Sequence, residues 1–159
     1  MTRRVTSLIG DHFDAARDDE PPLLICYFSQ AIHTPIEPAV EIGSTKVRDT
    51  QFHRVSDFLF ELDTTIGEMM DAFDAAGELS NTLFVFTSDN GAWSHNGLYA
   101  AGHDPNGILS GYKGLVWEGG IRVPYVVSWP AAGAEGATSE RVVGGQDLFA
   151  TFAELTGQT

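Results

Sequence analysis

Thr82-Leu83-Phe84-Val85-Phe86-Thr87-Ser88-Asp89-Asn90-Gly91 is the stretch whose reading decides the fold. Its first six residues are β-branched or aromatic with one leucine, and a turn sequence closes them, as for a short buried strand. Just before it, Val55, Phe58, Leu59, Leu62, Ile66, Met69, Met70 and Phe73 recur three and four residues apart. That spacing predicts an amphipathic helix of roughly six turns, with Gly77 as its C-terminal stop. Before the helix, Leu23 to Ser29 is a continuous apolar run that reads as a strand buried on both faces, with Cys26 a small core residue. Strand, helix, strand predicts a βαβ unit in a mostly parallel sheet. Beyond the opening stretch, Val123 to Trp129 reads as a third strand ended by Pro130, and Gln146 to Leu155 as a helix with Leu148, Phe149, Phe152 and Leu155 on one side. Residues 30–50 and 89–114 lack a period and are expected to be long loops. Residues 1–20 form a polar, helix-compatible N-terminal segment cut off by Pro21-Pro22.

The 159 residues suffice for one domain with a core. Nine Lys and Arg against 22 Asp and Glu give a formal net charge of −13, which disfavours a polyphosphate partner and leaves a small anionic ligand open if cations gather locally. No apolar run approaches the ~18 residues of a membrane span. The arginines near Met1 have no apolar stretch behind them, so a secretory signal is not expected. The single cysteine, Cys26, can neither pair nor build a zinc site.

Ligands of open α/β sheets bind beyond the carboxyl ends of the strands. Asp89 and Asn90 lie at such an end and offer two adjacent hard oxygens, which suit calcium or magnesium. Taken alone, the same residues read first as a turn. His33 follows the first strand and suits anion binding or proton transfer, although a lone loop histidine is more often solvated and idle. Between Arg54 and Lys113 there is no Lys or Arg, so Lys113 stands out as a cation. Gly111 and Gly114 beside it permit close backbone approach to a tetrahedral anion. Glu118 and Arg122 are expected to pair and brace the Gly119-Gly120 turn. His95 and His103 flank residues 96–102; His12 and His53 receive no role.

In this order, His33-Thr34-Pro35, the acidic helix, Leu83 to Gly91, Gly111-Tyr112-Lys113-Gly114, Glu118 to Pro124, Trp129-Pro130 and Asp147 to Thr151 resemble the sulfatase family over about residues 21–157. The resemblance implies part of an alkaline-phosphatase-like α/β/α sandwich with a mostly parallel sheet. Residues 21–159 would form the C-terminal portion of the N-terminal catalytic domain. It implies Asp89 and Asn90 as ligands of a divalent cation, Ca2+ or alternatively Mg2+. It implies His33 and Lys113 as catalytic residues that contact the sulfate and its leaving oxygen, with His95 and His103 as further substrate-binding candidates. The substrate would be a small-molecule or carbohydrate sulfate ester, and many relatives are exported or lysosomal.

The departures are equally specific. The family's nucleophile is a formylglycine made within a Cys-x-Pro/Ala-x-Arg segment, and here Cys26 is followed by Tyr-Phe-Ser-Gln. Asp18-Asp19 precedes Glu-Pro-Pro and reads as a solvated charge run, not as the family's aspartate pair. The chain therefore reads as a central piece of a longer sulfatase, with the remainder of its domain missing. Two oxygen ligands fall short of the ~6–8 that calcium takes, so the chain alone is expected to bind metal weakly and turn over nothing. A phosphonate or phosphate ester hydrolase of the same superfamily and a non-catalytic remnant are the competing expectations.

Overall fold

The computed structural model describes residues 2–14, 21–93, 97–133 and 135–158. Helix α2, Arg54–Ala75, is the organising element. Its 22 residues run about 33 Å at the usual ~1.5 Å rise. At its start the His53 ring accepts from the Val55 N–H (3.2 Å). At its end Gly77, at φ 75°, takes the left-handed turn. Gly77 N–H donates to the Asp74 carbonyl and Glu78 N–H to the Phe73 carbonyl, both at 2.9 Å. These are the paired bonds of a glycine-terminated helix, as the sequence predicts.

Helix α1, Thr2–Asp14, packs on α2 and buries Ile9 completely. The Phe73 ring meets Phe13 of α1 edge-on at 6.0 Å and Phe84 at 5.4 Å, which ties two helices to a strand. Within the 30–50 stretch, expected as plain loop, β1 (Glu41–Ile42) and β2 (Thr45–Lys46) form a minimal antiparallel hairpin. Gly43 supplies its positive φ of 56°. The stretch is fastened to α2: Glu61 accepts from Ala39 N–H (2.6 Å), and Val47 and Pro38 are fully buried.

Strands β3 (Phe84–Thr87) and β4 (Tyr125–Ser128) pair antiparallel, with Phe84 opposite Ser128 and Thr87 opposite Tyr125. Among the described residues both two-stranded sheets are antiparallel, which departs from the mostly parallel sheet expected. The physical reason is the connection. The described residues of 88–124 hold only the one-turn helix α3 (Glu118–Ile121), with no crossover helix among them to return β4 parallel to β3. Residues 23–29 have no ladder partner among the described residues. Leu23, Ile25, Tyr27 and Ser29 are half-buried and alternate with exposed Leu24, Cys26 and Phe28. That is the period of extended chain covered on one face. The expectations of two-faced burial and of a buried Cys26 are thereby corrected. An apolar run records which surfaces could be buried; it does not record what lies beside them.

Helix α4, Gly145–Leu155, follows β4 after a 3₁₀ turn at Pro130–Ala132. Its predicted apolar side is largely open, with Phe149 83% exposed and Leu155 48%.

Candidate active site

Asp89 and Asn90 follow β3 after Ser88. Asp89 is exposed and Asn90 half-buried. The Asn90 side-chain N–H donates to the Gly91 carbonyl (3.0 Å), and Ser88 Oγ donates to the Asn90 carbonyl (3.0 Å). With one amide N–H on the backbone, the side-chain oxygen is the acceptor that Asn90 offers a ligand. Beside it stands the Asp89 carboxylate. This donor set is two hard oxygens, which fits a calcium- or magnesium-like cation in kind and falls short of a full shell in number. Among the described residues no group of three or more His, Cys, Asp or Glu side chains gathers around a common point.

Lys113 reaches this turn through the backbone. Its N–H donates to the Ala92 carbonyl (2.9 Å), and the Gly91 N–H donates to the Gly120 carbonyl (2.9 Å). The two loops touch main chain to main chain, and glycine is what allows it. A Cβ on Gly91 would stand 1.9 Å from the Gly119 carbonyl oxygen. One on Gly119 would meet the Gly111 oxygen at 2.3 Å, and one on Gly120 the Leu115 oxygen at 2.0 Å. Real Cβ contacts do not occur at such distances, so Gly91, Gly119 and Gly120 are required by close approach. Glu118 and Arg122 approach to 3.6 Å across an exposed helix turn, a contact worth only about 0.3–0.5 kcal/mol.

His33 is exposed, in a turn after the extended segment, with its N–H donating to the Gln30 carbonyl (2.8 Å). Its ring Nδ1 lies 2.8 Å from the Thr34 carbonyl oxygen. A carbonyl only accepts, so Nδ1 carries the hydrogen and Nε2 is the nitrogen left to meet a ligand. Among the described residues no hydrogen bond joins His33 to the Asp89 turn or to the Lys113 loop. His33, Asp89, Asn90, His103 and Lys113 do line the same open groove. That groove encloses about 3230 Å³, several times the ~300–1,000 Å³ of a ligand pocket, so sharing it does not by itself bring two residues together. His103 is exposed, with its N–H on the Leu98 carbonyl (2.9 Å). His95 and the Asp18-Asp19 pair lie outside the described residues.

Sequence reasoning passed over two polar residues. Asp57 is 2% exposed. Its carboxylate accepts the backbone N–H groups of Asp49 (3.0 Å), Thr50 (3.0 Å) and Gln51 (2.8 Å). Burial opposes its charge, but these donors outweigh it and hold the carboxyl below the ordinary aspartate value. Asn106 donates its side-chain N–H to the Gly111 carbonyl (2.9 Å). The turn sequence Asp104-Pro105-Asn106-Gly107 could have drawn attention to it.

A protein-family model described as Sulfatase matches residues 2–158. The chain is 30% identical over 164 residues to an N-acetylgalactosamine-6-O-sulfatase of Bacteroides thetaiotaomicron, covering 99% of this chain and 30% of that protein. It is 39% identical over 161 residues to arylsulfatase A of Bos taurus, covering 99% and 29%. Against steryl-sulfatase of Rattus norvegicus the figures are 33% over 161 residues, 99% and 26%. A crystal structure of Ps i-CgsB in complex with k-i-k-neocarrahexaose superposes with a TM-score of 0.78 at 27% identity, over 99% of this chain and 34% of that one. The chain thus spans about a third or less of the length of these proteins.

Proposed function

The chain belongs to the sulfatase family, and from that premise we propose that it supplies one side of a site that hydrolyses sulfate esters. In this reading Asp89 and Asn90 hold a divalent cation, Ca2+ or alternatively Mg2+, through their side-chain oxygens. When bound, such a cation supplies Lewis-acid neutralisation of the sulfate charge. The Lys113 ammonium meets the same sulfate oxygens as a point charge and keeps them fixed for attack at sulfur. His33 turns Nε2 toward the leaving oxygen. Protonated, that nitrogen donates to the oxygen as the S–O bond breaks; the Thr34 carbonyl on Nδ1 holds the ring in place meanwhile. The formylglycine nucleophile of this reading has no Cys-x-Pro/Ala-x-Arg segment in these residues to arise from.

The observation that supports the reading most is the 2.9 Å bond from Lys113 N–H to the Ala92 carbonyl. It joins the candidate cation of the site to the turn that bears both candidate metal ligands. The substrate class is a small-molecule or carbohydrate sulfate ester, in line with the names of the aryl-, steryl- and N-acetylgalactosamine-sulfatases it resembles. The mostly parallel α/β/α sandwich belongs to the same proposal. Its support is the 23–29 segment, extended and apolar with no ladder partner among the described residues.

The test is an exchange in which residues 2–158 replace the matching segment of bovine arylsulfatase A. The chimera is assayed on an aryl sulfate and on the same aryl phosphate. The sulfate is expected to be hydrolysed faster, and Lys113→Ala to lower kcat roughly 10²–10³-fold. A folded chimera that prefers the phosphate, or is indifferent to Lys113→Ala, would overturn the reading.

A further inference from the structure

The loop ahead of Lys113 is built around one carbonyl group. The Gly111 oxygen accepts the Asn106 side-chain N–H at 2.9 Å, and a Cβ on Gly119 would stand 2.3 Å from it, so the Gly119 Cα closes its other side. One residue earlier, the Ser110 carbonyl accepts from Gly119 N–H (2.8 Å). Two residues later, Lys113 N–H is on the Ala92 carbonyl. These three contacts hold the segment 110–113 alongside those of Tyr112, and two of the three are backbone pairs. The third is a side chain.

That side chain is itself held. Asp104 accepts from the Asn106 N–H (3.1 Å) and the Gly107 N–H (3.2 Å), and the Leu109 N–H returns to the Asn106 carbonyl (3.0 Å). Asn106 is half-buried, with its backbone locked in a turn on either side. Gly111, at φ 86°, sits in the left-handed region, where the chain has several accessible conformations and needs an outside contact to select one.

We propose that Asn106 is the positioning residue for Lys113: its amide N–H fixes the Gly111 carbonyl and thereby the path of the chain that aims the ammonium two residues on. This deepens the sulfate-ester reading and rests on it for the role of Lys113, while the contact itself stands independently. Asn106 touches neither substrate nor metal in this account; it acts through the backbone.

The chain contains only two lysines, Lys46 in β2 and Lys113, which makes the test clean. With 15N-lysine incorporated, each gives one backbone amide signal; a parallel 15N-valine sample follows Val47, fully buried with its N–H on the Val40 carbonyl (3.0 Å), as the reference for overall unfolding. Asn106→Asp keeps the shape and exchanges the N–H donor for an oxygen that repels the Gly111 carbonyl. The expected result is a Lys113 amide that exchanges with solvent roughly tenfold faster while the Val47 amide is unchanged. Titration with inorganic sulfate is expected to shift the Lys113 signal and not Lys46 in the original chain, and to do so more weakly in Asn106→Asp. A Lys113 amide as protected in Asn106→Asp as before would overturn the proposal, as would an unprotected Lys113 amide in the original chain. If exchange responds but sulfate moves neither signal, the positioning contact stands and the sulfate reading of Lys113 fails.

Discussion

Asp57 combines burial with charge, and the three backbone N–H groups it accepts are what make that possible. It sits in the first turn of α2, where the helix dipole also favours an anion. Asp57→Asn replaces one acceptor oxygen with a donor that faces N–H groups, and is expected to cost about 1.5–3 kcal/mol near neutral pH. The sign of the pH dependence follows from the depressed folded-state value. The stabilisation is fully present above the unfolded value of about 3.9 and is lost as pH falls through the lower folded value. Urea melts of the two proteins should therefore differ at pH 7 and converge in strong acid; a gap that persists there would contradict the assignment. Neither Asp57 nor Asn106 was legible in the sequence as a structural anchor. Asp57 reads as one more polar residue of an amphipathic helix, and Asn106 as loop. Their partners are main-chain groups five to eight residues away, and such bonds leave no periodicity. Gly91 and the Gly119-Gly120 pair were visible as turn formers, but not that they pack against each other, because close approach between distant segments has no sequence signal of its own.

At the scale of elements, the long helix and its glycine stop were readable, because the 3.6-residue period over 22 residues is a strong signal. The strands were readable as apolar runs, and their direction was not. β3 and β4 pair antiparallel, the described residues between them contain no crossover helix, and irregular sequence does not say where it leads. The exposed face of 23–29 was missed for the related reason that apolarity states a preference for burial and not the neighbour that fulfils it. Phe73 is the side chain through which α2 holds both α1 and β3. It is 8% exposed, and Phe73→Ala is expected to lower stability by about 3–5 kcal/mol. The check is again a denaturant melt; a loss below ~1 kcal/mol would mean that the three elements are joined by other contacts. The antiparallel β3–β4 ladder does the positional work for the site: it brings the end of β3, with Asp89 and Asn90, beside the loop that enters β4 and carries Lys113.

Taken as a whole molecule, the chain presents an acidic exterior and one wide groove. Its walls include exposed Leu24, Phe28 and Phe149, and the candidate polar residues stand along it. The net charge of −13 attracts cations everywhere on such a surface, so affinity alone cannot identify a metal site. Location can. Mn2+ prefers the same hard oxygen ligands and broadens the resonances of nuclei near it. With 15N-lysine incorporated and enough salt to screen diffuse attraction, Mn2+ at Asp89 and Asn90 should broaden the Lys113 amide and spare Lys46. Asp89→Ala should abolish the difference. Equal broadening of both lysines, or selective broadening of Lys113 that survives Asp89→Ala, would contradict the claim that this turn and this lysine share one cation-centred site.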